Sequence, residues 1–301
     1  MTNPISIITF YKFLPIDSRR LPTVKESLCF TAKRRNIRGL IVIAGEGLNG
    51  TIAGLPDDIA EIKSKIIECL GIYELAVKSS SAPTNPFRRF KVDIRREIIT
   101  MGEQVPLPEM ETSSHLSPED WHNKVTSGDD DFILLDVRNH YESLLGKFKN
   151  SEVPGFNSFG EFPEYVDRCG IEKEKKVLMY CTGGIRCEKA ALLMKDKGFD
   201  EVYQLQGGIL KYLEQYPNQE FEGECFVFDD RVAVGQNLEP SGQYHLRPHC
   251  GDPGKIPISC RQCDKQAVIC DRCARVAAYK TCSKNCRYHF EREAKVRHIS
   301  N

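Results

Sequence analysis

The sequence predicts an α/β protein in three parts, with two domains that mix helices and strands and a C-terminal region rich in cysteine. Three observations support this division. Residues 5–94 carry the pattern strand, helix, strand, strand, helix, strand, and residues 115–217 alternate strands with helices. Seven of the thirteen cysteines lie beyond residue 241. A chain of 301 residues is long enough for two or three domains with hydrophobic cores of their own.

The N-terminal domain, residues 1–100, begins with a β-branched and aromatic run that is typical of a strand. Apolar side chains at helical spacing predict a helix over 22–36 and a second over 56–70. Strands are predicted at 5–14, 39–44, 51–53 and near 90–94. The order βαββαβ predicts a ferredoxin-like α/β sandwich.

A glycine-rich segment in this domain, residues 45–50, matches the pattern G-x-G-x-x-G. Dinucleotide binding requires a helix directly after these glycines, whereas a strand is predicted here. We therefore interpret the segment as a hairpin turn.

Basic residues alternate with apolar and aromatic ones across 87–96. On a strand, side chains two positions apart share a face, which would give a basic stripe. The stripe fits a surface that contacts a phosphate backbone and equally an edge strand protected by charge. The candidate RNA-binding residues are Arg88, Arg89, Lys91 and Arg95.

A segment with several prolines, residues 101–114, is typical of a linker. The central domain, residues 115–217, follows it, and its alternating strands and helices predict a parallel sheet covered on both faces. Sites in such sheets lie at the C-terminal ends of the strands. Asp136 and Arg138 end one predicted strand, and Cys181 follows another at 176–180.

Cys181 stands at a predicted turn from strand to helix. Gly183 and Gly184 let successive backbone N–H groups point into one concavity, and the helix beginning near Cys187 adds its positive end. Arg186 adds a permanent charge at the rim. These features predict a lowered thiol pKa and a reactive thiolate at Cys181, rather than a buried structural cysteine. For Cys187 we favour a packed small residue over a resolving thiol.

Three segments resemble the signatures of rhodanese domains: Leu135-Asp136-Val137-Arg138, Cys181-Thr-Gly-Gly-Ile-Arg186 and Leu205-Gln206-Gly207-Gly208-Ile209. More narrowly, residues 180–189, 45–51 and 223–234 are similar to the bacterial rhodanese-domain tRNA uridine(34) hydroxylases. The likeness covers about residues 5–240, and it departs from the family at Tyr180, where the family has Phe.

This resemblance implies a rhodanese fold for residues 115–217 and an essential thiol at Cys181, with Arg186 in the active loop. It implies that Asp136, Arg138, Gly183 and Gly184 brace that loop. The implied reaction is hydroxylation of C5 of the wobble uridine of tRNA by molecular oxygen, which gives 5-hydroxyuridine. Rhodanese-like phosphatases have a loop one residue longer, so the spacing C-x4-R favours a persulfide sulfur over phosphate.

The connecting segment 218–240 leads to the cysteine-rich region, residues 241–301, whose composition is typical of a zinc-binding module. Cysteines two or three residues apart supply zinc ligands in pairs, and a region with few large apolar residues depends on metal for stability. Eight ligands would satisfy two tetrahedral sites, although the spacing leaves their pairing open. The candidate ligands are Cys250, Cys260, Cys263, Cys270, Cys273, Cys282, Cys286 and His289. The family members that the sequence resembles have a shorter tail with fewer cysteines.

Charge and composition bound the partners and the compartment. The formal net charge is zero, but the first 110 residues hold 16 Lys and Arg against 12 Asp and Glu, and residues 241–301 hold 12 against 5. Two basic ends fit an anionic polymer held from both ends, and ordinary variation between domains would give the same pattern. The resemblance implies tRNA as the partner. No signal peptide or membrane span is evident, and cysteines without a secretory signal predict reduced thiols in the cytoplasm.

Two alternatives to a hydroxylase stay open. One is a sulfurtransferase that passes persulfide sulfur through the same Cys181, and the other is a zinc-dependent RNA-binding module with an inactive rhodanese domain. The sequence shows neither an iron-binding triad nor a flavin motif, so the electron donor for a hydroxylase is not identified.

Overall fold

A computed structural model describes residues 4–103, 105, 115–128, 131–246 and 249–299. The chain divides into two compact units, Met1–Asp229 with Val234–Glu239, and Asp230–Ala233 with Pro240–Asn301. The first unit therefore contains both the N-terminal and the central domain. Most of the predicted linker, including residues 106–114, lies outside the described residues.

The N-terminal domain is a ferredoxin-like sandwich in which a sheet packs against two helices. Its elements are β1 (Ile5–Phe13), α1 (Leu21–Arg34), β2 (Arg38–Ala44), β3 (Gly47–Gly54), α2 (Pro56–Leu70), β4 (Val77–Ala82) and β5 (Phe90–Ile94). The strand order β4-β1-β3-β2-β5 contains the predicted ferredoxin-like order in its first four members. Apolar side chains from α1, α2 and one face of the sheet form the core, among them Leu28, Ile62 and Ile41.

Two details of this domain differ from the sequence prediction. The fourth strand of the ferredoxin-like order is β4, which was missed because its serine-rich sequence lacks the β-branched and aromatic residues typical of strands. The strand predicted near 90–94 is present as β5, but it is an additional edge strand parallel to β2.

The hairpin interpretation of the glycine-rich segment is confirmed, but its turn is shorter than predicted, because residues 47–50 belong to β3. β2 pairs with β3 from Ala44 and Gly47 onward, so a two-residue turn joins them. Gly47 has φ +139°, and a Cβ there would lie 2.1 Å from the carbonyl oxygen of Lys12 on β1. Close approach of the neighbouring strand, not a ligand, accounts for this glycine.

The central domain contains the predicted parallel sheet, with helices on both faces. The elements of this domain and of the connecting segment are β6 (His115–Leu116), α3 (Pro118–Thr126), β7 (Phe132–Asp136), α4 (His140–Ser143), β8 (Gly146–Phe148), α5 (Phe162–Arg168), β9 (Lys176–Tyr180), α6 (Ile185–Asp196), β10 (Val202–Leu205), α7 (Gly208–Leu213), β11 (Phe221–Gly223), β12 (Cys225–Phe226) and β13 (Ala233–Val234). The strand order of the sheet is β6-β10-β9-β7, and all three pairings are parallel. Along β9, Val177 and Met179 pack towards α5 and α6, whereas Leu178 and Tyr180 pack towards α3 and α7.

The described residues of the cysteine-rich region form two short antiparallel strand pairs and two α-helices. Its elements are β14 (His245–Leu246), β15 (Pro253–Gly254), β16 (Ile256–Ser259), β17 (Gln266–Ile269), α8 (Asp271–Ala274) and α9 (Lys284–Ile299). Its buried side chains include Cys260, Ile269 and Cys273, so cysteine sulfurs occupy positions that larger apolar side chains fill in an ordinary core.

No helix in the described ranges combines the length and the apolar character needed to cross a membrane.

Candidate active site

Cys181 lies at the end of β9, where the chain turns into α6. The four residues after β9 form a tight loop that ends at Gly184, whose φ is +98°. The backbone N–H of Gly184 donates a hydrogen bond to Cys181 Sγ at 3.1 Å. The loop therefore curls around the sulfur as the two glycines predict.

The surroundings of Cys181 stabilise its thiolate. Burial alone would raise the thiol pKa, but a hydrogen bond from the Cys187 thiol, the charge of Arg186 and the backbone N–H groups of Arg186 and Cys187 together lower the pKa of Cys181 to about 5. Burial and the neighbouring thiolate raise the pKa of Cys187, which stays protonated as the donor. Cys187 is fully buried in the core of the central domain, as the packed interpretation expects.

Arg186, which the sequence suggested at the rim of the loop, has a side chain that is almost fully buried. Its guanidinium makes two hydrogen bonds to Glu142, at 2.5 Å to Oε1 and 2.8 Å to Oε2. Burial would lower the pKa of Arg186, but Glu142 outweighs it and the net shift is upward, so the charge next to the sulfur is permanent. Glu142 also accepts a hydrogen bond from Thr182 Oγ1 at 3.1 Å.

Sequence reasoning missed Glu142. The residue lies at the start of α4, where its Oε1 accepts a hydrogen bond from the backbone N–H of Asn139 at 3.2 Å and its own N–H donates to the Asn139 carbonyl oxygen at 2.9 Å. The pattern Asn-x-x-Glu is the signal that could have drawn attention to it. The pattern predicts a helix start, but it does not predict a partner 44 positions further along the chain.

Asp136 and Arg138 form a second buried ion pair, 2.6 Å apart. Arg138 also donates to the Gly146 carbonyl at 2.6 Å, and Asp136 accepts from Ser143 Oγ at 2.8 Å. These bonds fix the segment 136–146, from which Glu142 reaches the loop. Bracing by the pair would therefore act through Glu142 and through Tyr180, the residue before Cys181, whose hydroxyl donates to Asp136 Oδ2 at 3.0 Å.

The reactive loop, residues 181–184, borders a cleft of about 350 Å³ between the central domain and the N-terminal sheet. Cys181 is fully buried yet lines this cleft. The opposite wall is the sheet face that points away from α1 and α2, including Tyr11, Asn49 and Thr51, and Phe228 lines the cleft as well. The volume lies in the range of small-ligand sites.

Comparison with known proteins identifies each part of the chain. Residues 5–98 match the family model described as UPF0176 acylphosphatase like domain, residues 117–215 the Rhodanese-like domain, and residues 222–287 the Rhodanase C-terminal model. Relatives named tRNA uridine(34) hydroxylase include one from Bdellovibrio bacteriovorus, 44% identical over 95% of this chain and 81% of its own length. Those from Teredinibacter turnerae and Gluconobacter oxydans are each 40% identical, over 89% and 90% of this chain and 83% and 87% of theirs. The chain belongs to the tRNA uridine(34) hydroxylase family.

In this family member the candidate RNA-binding residues lie at the sheet edge formed by β5. Lys91 and Arg95 are exposed, and both pair with Asp93, at 2.8 Å and 3.2 Å. Arg88 and Arg89 are exposed just before the strand. Arg95 also lines the cleft that holds Cys181. The basic edge thus runs towards the reactive loop.

The candidate metal ligands fall into two groups. Cys260, Cys263, Cys282 and Cys286 have all four sulfurs within 4.8 Å of one another, and Cys250, Cys270 and Cys273 form a group of three by the same criterion. Neither group includes His289, which the sequence suggested as the eighth ligand; its ring packs edge-on to Tyr288. Both groups lie within residues 222–287, the range of the C-terminal family model.

Proposed function

We propose that the protein hydroxylates C5 of uridine 34 in tRNA, in the cytoplasm. One atom of molecular oxygen enters the base, and a two-electron donor reduces the other atom to water. Family membership supports this reaction. The observation that carries it is the position of Cys181, a stabilised thiolate that lines a cleft of small-ligand size between two domains. Cys181 is the essential thiol in this proposal, and the pair formed by Arg186 and Glu142 keeps its charge compensated.

The test is mass spectrometry of tRNA nucleosides from cells that lack the protein and are complemented with variants. We expect 5-hydroxyuridine and its derivatives to be absent without the protein, to be restored by wild type and not by Cys181→Ser. Cys169→Ser is the matched control, because Cys169 lies in the same domain and is partly buried but does not line the cleft. Persistence of 5-hydroxyuridine together with loss of a thiolated nucleoside would replace the proposal with a sulfurtransferase.

The basic edge of β5 is proposed to contact the tRNA backbone. Arg88, Arg89, Lys91 and Arg95 are exposed, and Arg95 reaches the cleft. Removing one phosphate contact should weaken binding and reduce the slope of log K against log salt by about 0.7–0.9. In a binding titration with tRNA, we expect Lys91→Ala and Arg95→Ala each to weaken binding and to reduce the slope. Lys65→Ala, on α2, should leave the affinity and the slope unchanged. Equal slopes for all three variants would indicate that the charges only protect an edge strand.

Zinc is proposed at both cysteine groups, with a structural role. In the first group three sulfur–sulfur distances are 3.6–3.7 Å. A tetrahedron of thiolates about 2.3 Å from zinc has edges of about 3.8 Å, so the sulfurs of Cys263, Cys282 and Cys286 fit one face of it. The Cys260 sulfur lies within 4.8 Å of each of them and supplies the fourth corner. Zinc held there would tie together segments up to 26 residues apart, from Cys260 to Cys286.

The second group supplies three thiols, and tetrahedral zinc needs a fourth ligand. His249 precedes Cys250, and its Nδ1 atom is buried with no hydrogen-bond partner among the described residues. Its other ring nitrogen, Nε2, lies 2.8 Å from the carbonyl oxygen of Thr281, which fixes the ring. By the 4.8 Å criterion that sets His289 apart, His249 is not a member of this group either. We propose His249 Nδ1 as the fourth ligand because this buried nitrogen has no partner within the described part of the chain and belongs to the residue next to Cys250.

Zinc content measured by mass spectrometry of the purified protein tests this assignment. We expect two zinc ions per chain, one after Cys282→Ser and one after Cys270→Ser. His249→Ala should accelerate the loss of one ion to a chelator, and His289→Ala should not. A fall in zinc content with His289→Ala but not with His249→Ala would reverse the assignment.

A further inference from the structure

Lys78, on β4 of the N-terminal domain, reaches the reactive loop of the central domain. Its Nζ donates a hydrogen bond to the carbonyl oxygen of Gly183 at 2.6 Å. The residue carries no motif and lies in the serine-rich strand that sequence patterns did not predict. It nonetheless ties the N-terminal domain to this loop by a hydrogen bond from a cation.

The bonded oxygen belongs to the same peptide group as the N–H that contacts the sulfur. The carbonyl of Gly183 and the N–H of Gly184 form one planar unit, in which the two bonds point in opposite directions. Lys78 holds the oxygen at 2.6 Å, and the N–H of Gly184 donates to Cys181 Sγ at 3.1 Å. A cation on the oxygen polarises the peptide and makes its N–H a stronger donor.

The ammonium group of Lys78 packs against the ring of Tyr11, which is itself fixed by a hydrogen-bond network. It lies 4.4 Å from the centre of the Tyr11 ring, and the Tyr11 hydroxyl donates to Glu188 Oε1 at 2.9 Å. Glu188 also accepts from Gln204 at 3.2 Å and contacts His115 Nε2 at 3.1 Å.

The charges facing Lys78 come from both domains. Burial lowers the pKa of Lys78 to about 8. The negative charges of Cys181, Glu188 and Glu214 act to raise this pKa, and the positive charge of Lys211 acts to lower it. At neutral pH the ammonium form predominates. The charged form is the stronger donor to the Gly183 carbonyl and the form that polarises the peptide.

We propose that Lys78 is a positioning residue for the reactive loop, which orients and polarises the Gly183–Gly184 peptide so that its N–H stabilises the Cys181 thiolate. The N-terminal domain thereby completes the active site of the central domain. This deepens the proposed function, because it rests on Cys181 as the reactive thiol, but its test measures that thiol directly and requires no tRNA.

The experiment is alkylation of the full-length protein with iodoacetamide across pH, with Cys181 followed by peptide mass spectrometry. Lys78→Met should raise the midpoint of the Cys181 profile by about one pH unit, which is roughly a five- to tenfold lower rate near pH 5. Lys78→Gln keeps a donor without the charge and should give a smaller shift in the same direction. Lys65→Met, on α2, is the control and should match wild type.

A wild-type midpoint in both Lys78→Met and Lys78→Gln would overturn the proposal. Circular dichroism and the fluorescence of Trp121, the single tryptophan, establish whether each variant is folded. If Lys78→Met does not fold, Lys78→Gln alone provides the test. The outcomes separate the two proposals. A shifted midpoint in a protein that proves not to hydroxylate tRNA leaves the role of Lys78 standing, and an unshifted one in an active hydroxylase removes that role alone.

Discussion

Replacing Glu142 with Gln should destabilise the central domain more than any surface charge substitution, because it leaves Arg186 buried without its counter-charge. Glu142 has no exposed side-chain surface and the Arg186 side chain is 5% exposed, so water does not replace the lost carboxylate. The variant keeps the size of the side chain, and one hydrogen bond to Arg186 can survive. What it removes is the charge.

The magnitude follows from the burial of the pair. Removing one partner of a buried ion pair costs about 3–5 kcal/mol, and the surviving hydrogen bond places Glu142→Gln near the lower end, at about 3 kcal/mol. Domains are stabilised by about 5–15 kcal/mol in total, so the loss is large. The exposed pair Glu164–Arg168 in the same domain has side chains 62% and 76% exposed, and breaking it with Glu164→Gln should cost less than about 1 kcal/mol.

Urea denaturation followed by Trp121 fluorescence measures both variants. Trp121 is fully buried against Phe148 and Tyr180, so its emission reports unfolding of the central domain. The double variant Glu142→Gln with Arg186→Met removes the unpaired charge and should recover part of the loss. If Glu142→Gln costs no more than Glu164→Gln, the pair does not hold the loop and the reasoning fails.

Three further predictions concern the same loop. The alkylation rate of Cys181 should be constant from about pH 7 to 9 and fall to half near pH 5, because the lowered pKa keeps the thiol ionised until the pH falls to that value. Cys187→Ala removes a hydrogen-bond donor to the thiolate and should raise the pH of half-maximal alkylation. Tyr180→Phe should cost about 1–2 kcal/mol in urea denaturation, because the hydroxyl donates to Asp136 Oδ2 at 3.0 Å and lies 2.9 Å from Ser151 Oγ. Gly208→Ala should abolish thiolate stabilisation in the alkylation profile, since its Cβ would lie 2.5 Å from the Cys181 carbonyl oxygen and 2.8 Å from the Gly184 nitrogen. Gly170→Ala shares the positive φ (+67° against +68°) but meets no atom within 4 Å, so equal effects of the two would exclude the clash.

Sequence patterns predicted the fold wherever local signals were strong. The sheet of the central domain was predicted because β7 and β9 are continuous apolar runs, and α3 because Ser117 caps it, as its hydrogen bond from the Asp120 N–H shows. β4 was missed because its stability comes from pairing with β1 along six residues, not from its own serine-rich composition. Pairing of this kind is set by tertiary structure and leaves no local pattern.

The same division applies to the site. The strand, the glycines and the helix start are local, so the pattern around Cys181 placed the sulfur correctly at a strand end. Arg186, by contrast, was expected at the rim, because nothing near it in sequence indicates a carboxylate. Its partner Glu142 and the peptide's partner Lys78 come from 44 and 105 positions away. Such pairs depend on how the elements pack in three dimensions, so the spacing of residues along the sequence does not predict them.

The departure from the family at Tyr180 has a physical reason of the same kind. A tyrosine at the end of β9 is compatible with a buried position only where its hydroxyl finds partners. Asp136 and Ser151 provide them, and the Phe148 N–H donates to the same hydroxyl at 3.3 Å. Burial and Asp136 raise the pKa of Tyr180, so the hydroxyl stays protonated and donates to Asp136.

Burial and charge place opposing demands on Cys181, and the arrangement around it meets both. A sulfur removed from water would be a neutral thiol, since desolvation penalises the charged form. The thiolate and Glu142 contribute two negative charges, and Arg186 and Lys78 contribute two positive ones, so this group is close to neutral as a whole. A buried charge is tolerated when an opposite charge compensates it in this way. Removal of any one member of the group leaves an uncompensated buried charge, which is strongly destabilising. Substitutions at Glu142 and at Lys78 should therefore both be felt at the sulfur, although neither residue touches it. Lys78 should act mainly on the thiol pKa, because it works through a peptide N–H, and Glu142 mainly on stability, because it leaves a cation without its partner.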